Sequence, residues 1–202
     1  MSPEGIAKRI TLPEDCVLGF GIPTSQEGFR ASWRRGSPQS FARSFRGTAA
    51  YHAQVIAPFR RLESQFRKLG AHLVPDLTLG QYASLFQDRR THAVILFSHW
   101  GGDFIEFRDG PVGIDAFIQA IPADFAVILD LCVCHPVDLI SPLRASRPYC
   151  LIPYIGTRAT PVYWLYFYRD LFRCLRNGSR SYLSASMELV AGYSGTPLEV
   201  QT

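Results

Sequence analysis

Lysine is nearly absent from this chain: Lys8 and Lys68 stand against 19 arginines. The formal net charge of +4 therefore rests on arginine, a bias better read as the mark of a GC-rich genome than of a function. Long apolar runs are missing too. None approaches the ~18 residues of a membrane-spanning helix, and Met1-Ser2-Pro3-Glu4-Gly5 has no signal-peptide pattern, so a cytoplasmic protein with no membrane partner is expected. Cysteine spacings of the small secreted kind are also lacking. Cys16, Cys132, Cys134, Cys150 and Cys174 are odd in number and are read as reduced thiols. No repeat or low-complexity tract occurs. With 202 residues, 47% of them hydrophobic, the chain suits one domain, residues 1–202, with a sizeable core.

Two apolar strands each end in a reactive side chain. Ala93 to Ser98 runs into His99-Trp100-Gly101-Gly102, and Phe125 to Leu131 runs into Cys132-Val133-Cys134-His135-Pro136. Between them lie a short extended segment (Asp103 to Phe107), an Asp109-Gly110 turn and an apolar-periodic stretch from Ile114 to Ile121. That is long enough for the helical crossover that parallel strands need. Near-continuous apolar strands suit a sheet covered on both faces. The rest of the chain alternates in the same way. Strands are predicted at 15–22, 71–74 and 149–155, and helices at 48–69, 78–87, 137–145, 161–176 and 180–192. The fold class is α/β, a single doubly wound and mostly parallel sheet flanked by helices. The irregular segment of roughly 25 residues before residue 48 is too long for a plain connector and is read as a flap over the site.

Side by side and parallel, the two strands bring an imidazole and a thiol to the carboxyl edge, where chemistry gathers in open α/β sheets. A thiol beside an imidazole is the minimal cysteine nucleophile, and its pKa is expected below the ~8.5 of an isolated thiol. Cys132 is the chosen nucleophile, Cys134 the fallback and His99 the base. Glycine lets backbone approach a ligand closely, so the amides of Gly101 and Cys132 are the candidate oxyanion donors. Asp130 interrupts its strand two residues before Cys132, on the same side by alternation. A buried acid needs a partner or a polar cleft. Asp130 is therefore either capped structurally or lines a pocket for a basic substrate side chain. A zinc site from His99, Cys132, Cys134 and His135 would lack the second separated ligand pair that structural zinc usually has, and no metal or other cofactor is expected.

Arg30, Arg34, Arg35, Arg43 and Arg46 mingle with Phe29, Trp33, Phe41 and Phe45. A nucleic-acid patch has this composition, as does a solvated loop with aromatic anchors. No known binding motif is matched, and no nucleic-acid partner is expected. Tyr163, Trp164, Tyr166, Phe167, Tyr168 and Phe172 read as a helix packed on the sheet, with a partner interface as the alternative.

This pattern resembles the caspase-like cysteine peptidases, particularly CHAT domains and their metacaspase and paracaspase relatives. In that fold a strand ends in the catalytic His and the next strand ends in the catalytic Cys. Asp130-Leu131-Cys132 is similar to the Asp-x-Cys of metacaspases and paracaspases, whose acid shapes a pocket for Arg or Lys. Arg108 to Phe117 is similar to the CHAT segment between the catalytic strands, and Thr160-Pro161 through Tyr168, Leu171, Gly178-Ser179 and Ala185 to its closing helices. The likeness spans roughly residues 90–192; residues 1–75 fit by element order alone. Trp100 stands where the family has Gly after the His, and Val133-Cys134-His135 replaces the Glu-Thr-Gly that often follows a CHAT cysteine.

The resemblance implies a cysteine endopeptidase that cleaves a protein substrate after Arg or Lys, with His99 and Cys132 as its dyad. It further implies a bacterial antiviral defence or cell-death module and a separately encoded activator. Two alternatives stay open: a catalytically inactive interaction module of the same fold, and a Cys–His hydrolase of small amides or esters.

Overall fold

A computed structural model describes residues 10–35, 40–88, 90–126, 128–134, 136–154, 160–178, 180–194 and 199–201. Along the chain come β1 (Cys16–Phe20), α1 (Gln26–Arg35), α2 (Thr48–Tyr51), α3 (Ala57–Lys68), β2 (His72–Val74), α4 (Leu79–Leu85) and β3 (Ala93–Phe97). A hairpin of β4 (Phe104–Phe107) and β5 (Gly110–Gly113) leads into α5 (Ile114–Gln119) and β6 (Ile128–Cys132). Then follow α6 (Val137–Ser146), β7 (Ile152–Tyr154), α7 (Pro161–Arg176), α8 (Tyr182–Ser194) and β8 (Glu199–Gln201).

The strands β2–β1–β3–β6 form a four-stranded sheet in that order, and every pairing in it is parallel. A single parallel bridge, Ile128 to Leu151, brings β7 alongside, and β8 pairs antiparallel with β7. The expected α/β sheet flanked by helices is present.

Strand alternation sorts the core into two layers. Ala93, Ile95, Phe97, Ile128 and Cys132 face a cluster built on α3, α7 and α8. Val94, Leu96, Leu129, Leu131 and Val133 face another, built on α4, α5 and α6. Local signals start the helices. Pro161 opens α7, where its missing N–H costs nothing, and Thr78 and Gln81 form a capping box on α4.

Two expectations need correction. The helix predicted over 48–69 is divided: α2 and α3 are joined through a π-helical stretch, His52–Ile56. Pro58, two residues past its end, has no N–H to donate back. The flap is also less irregular than expected. It contains α1 and a 3-10 turn, Phe41–Ser44, because Ser25 caps the helix by accepting the Gly28 N–H at 3.0 Å.

The flap is tied down at three points. Asp76, in left-handed backbone at φ 49°, accepts from the Thr24 N–H at 2.8 Å and the Ser25 hydroxyl at 3.1 Å. Glu106 on β4, 3% exposed, accepts from the Ser32 hydroxyl at 3.0 Å and the Phe41 N–H at 2.6 Å. Tyr51 donates to the Pro23 carbonyl at 2.6 Å. Its ring meets those of Phe29, Phe45 and Phe41 at centroid distances of 4.5, 4.9 and 6.1 Å.

Candidate functional site

The register between β3 and β6 sets Phe97 opposite Cys132, and the Ser98 N–H donates to the Cys132 carbonyl at 3.2 Å. His99 therefore leaves β3 two residues past the strand position that Cys132 faces. Both stand at the carboxyl edge of adjacent parallel strands. The His99 ring lies 5.5 Å from that of Phe41 in the flap and 6.1 Å from that of Phe104. The segment expected as a flap thus reaches the His99 ring.

Beyond β3 the chain runs back along β4. The His99 carbonyl accepts from the Glu106 N–H and the Gly101 N–H donates to the Phe104 carbonyl, both at 3.0 Å, and Trp100 bridges to Ile105. Trp100 turns its indole into the opposite core layer, which accommodates a large residue after the histidine. In this conformation the amide of Gly101, the expected oxyanion donor, is engaged by the Phe104 carbonyl. A Cβ at Gly101 would run into the Phe104 ring, so the glycine serves close packing. Gly102, at φ 100°, supplies the left-handed turn.

Cys132 is 4% exposed and packs in the core layer under α7. Burial pushes its thiol well above the ordinary value of 9.0, the nearby Asp130 pushes it further, and a hydrogen bond with Tyr168 works against both. The acidic thiol expected from sequence is not what this environment favours, because desolvation of the thiolate dominates. Cys134 lies two residues farther on, half-buried in a bend beyond the strand. His135 falls outside the described residues.

Asp130 is 7% exposed and faces the same layer as Cys132. Its two oxygens accept from the Tyr168 hydroxyl at 2.9 Å and the Tyr182 hydroxyl at 2.6 Å. Burial raises its pKa from 3.8 to about 6, and the two tyrosines restrain the rise. Against Asp130 and Cys132 lies a cavity of about 10 Å³, walled by Trp164, Tyr168 and Ser186. That is room for about one water. Among the described residues the Ser186 hydroxyl, 1% exposed, has no hydrogen-bond partner, so this small space is polar as well as apolar.

The chain matches no protein-family model and no curated protein.

Sequence reasoning missed Tyr168 and Tyr182 as partners of Asp130 and Glu106 as the flap's anchor. Glu106 did carry a signal: a lone acid in Phe104-Ile105-Glu106-Phe107 is the same interruption that singled out Asp130. Among the described residues, no group of three or more His, Cys, Asp or Glu side chains is placed to hold a metal ion. No helix among them is long and apolar enough to cross a membrane. None of the five cysteines is in a disulfide.

Proposed function

We propose that this chain is a cysteine endopeptidase of caspase-like fold, with its site held in a closed resting form. The observation that carries the reading is the parallel β3–β6 register, which sets a histidine and a cysteine at one sheet edge with a hairpin and a helix in the crossover. His99 takes the thiol proton as Cys132 attacks the scissile carbonyl, then gives it to the departing amine. Water, deprotonated by His99, next hydrolyses the thioester and restores the thiol.

Selection for Arg or Lys is assigned to Asp130, the acid beside the nucleophile. The cavity at Asp130 must widen before it admits a side chain, with α7 or α8 moving off the sheet. A buried nucleophile and a tied-down flap both suit activation by a separately encoded partner, as in a bacterial defence module.

A second reading, an inactive interaction module of the same fold, is favoured by one observation: the Cys132 thiol is buried and pushed toward its neutral form. Mass spectrometry after treatment with a basic peptidyl chloromethyl ketone separates the two. The peptidase reading expects modification at Cys132 that His99→Ala abolishes, together with cleavage of a peptide library after Arg or Lys. Labelling confined to Cys134, cleavage that persists after Cys132 has been modified, or no cleavage of any library peptide by the untreated protein, overturns it.

A further inference from the structure

The outer side of the flap holds a feature that the peptidase chemistry leaves unused. A cavity of about 390 Å³ opens between α1 and the start of α2, lined by Phe29, Arg30, Trp33, Arg34, Gly47 and Thr48. Its size lies within the range of ligand sites, about 300–1,000 Å³. The floor is aromatic, with the Phe29 and Trp33 rings 5.6 Å apart. Arg43 holds Trp33 in place: its guanidinium lies 4.6 Å over the Trp33 ring and donates to the Trp33 carbonyl at 3.0 Å.

The rim is cationic and uncompensated. Arg30 and Arg34 are four residues apart on one helix, a spacing at which like charges repel. Among the described residues no carboxylate forms an ion pair with either. Over residues 26–51 five arginines meet the single acid Glu27, a surplus that equals the whole chain's net charge of +4. An anion between the two guanidiniums relieves their repulsion and gains charge-assisted hydrogen bonds.

We infer that this cavity is a docking site for an acidic peptide segment of a protein partner, an apolar side chain seated on Phe29 and Trp33 and flanking carboxylates held by Arg30 and Arg34. The shape favours peptide over nucleic acid. A bound strand needs cations tracking successive phosphates along a groove, whereas here two arginines flank one concave, mostly apolar opening.

The experiment uses the full chain and does not depend on any catalytic activity. A short dye-labelled peptide with a phenylalanine between glutamates is titrated by fluorescence anisotropy, beside its glutamine counterpart and a single-stranded oligonucleotide of equal charge. The glutamate peptide is expected to bind, and the glutamine peptide to bind at least about tenfold more weakly. Arg30→Glu/Arg34→Glu is expected to lose affinity to the same degree. Both side chains are exposed, so the fold is retained, and Arg30→Gln/Arg34→Gln gives a milder second variant. The charge-matched control Arg60→Glu/Arg61→Glu on α3 should bind as the wild type does. Equal binding of the two peptides, an equal loss in the control, or no binding overturns the inference. Tighter binding of the oligonucleotide that fails in the Arg30/Arg34 variant overturns it in favour of nucleic acid.

Discussion

Replacing Asp130 with asparagine should shift the stability balance toward the variant as pH rises, by an amount that shrinks as the solution is acidified. In the folded chain the carboxyl titrates at about 6, against an ordinary 3.8, because burial penalises its charge. The folded-state pKa is the higher one, so its stabilising contribution is complete below 3.8 and is lost as pH rises through about 6. The gap, at about 1.4 kcal/mol per pH unit, corresponds to about 3 kcal/mol between the ends of that window. Asparagine keeps the shape and one acceptor for the Tyr168 and Tyr182 hydroxyls and carries no charge at any pH. Urea titrations of wild type and Asp130→Asn, at intervals from about pH 4 to about pH 7, measure the difference directly. It should grow by about 3 kcal/mol across the window, a midpoint separation of about 1–1.5 M for a urea slope of 2–3 kcal/mol/M. A difference that stays flat with pH, or grows toward acid, would refute the reasoning and imply that the carboxylate is better solvated than its burial indicates.

Removing one of its donors should move Asp130 the other way: Tyr182→Phe raises its pKa above about 6 and costs about 1.5–3 kcal/mol at neutral pH, both readable from the same titrations. Glu106→Ala should loosen the flap, since the Ser32 hydroxyl and the Phe41 amide lose their shared acceptor; limited proteolysis should then cut within residues 26–47 at least about tenfold faster, and unchanged cutting would show that the other ties suffice. Two glycines should separate cleanly in thermal unfolding. A Cβ at Gly21 would strike the Glu106 carbonyl and the Ser98 side chain, whereas at Gly80 it meets none of the described residues within 4 Å, so Gly21→Ala should lose about 1–3 kcal/mol and Gly80→Ala should gain about 0.4–1 kcal/mol.

The parallel pairing of β3 and β6 was legible in the sequence because both are unbroken apolar runs joined by a segment that can only be a crossover. The order of the closing helices was legible too, from Pro161 and the dense aromatic periodicity behind it. Helix α1 was not. Only Phe29 and Ser32 are buried along it, so no apolar stripe marks its face, and the Ser25 cap was the one usable sign. The face of Asp130 followed from alternation, but its surroundings did not. Tyr168 and Tyr182 lie 38 and 52 residues away in sequence, and only the packing of α7 and α8 on the sheet brings them to it. Gly101 illustrates the same boundary. Its place after the histidine was plain, while the partner of its amide depended on how tightly the chain folds back on β4. An accessible, acidic Cys132 was expected from the neighbouring imidazole, and the depth of the α7 layer set a different environment.

Tyr51 belongs at once to the sheet's main core and to the aromatic group beneath the flap. Phe29, Phe41 and Phe45 reach it from different stretches of the chain, and its hydroxyl holds the segment's first turn through Pro23. Contacts that converge on a single ring leave little scope for piecemeal loosening, since removing any one contact exposes the others. The flap is thus built to detach cooperatively, at a free energy set by this small nest rather than by the sheet. Amides of α1 and of the 41–44 turn should exchange with deuterium at one shared rate, faster than those of β1 and β3. Residue 51 would mark where the fast-exchanging part of the chain gives way to the slow.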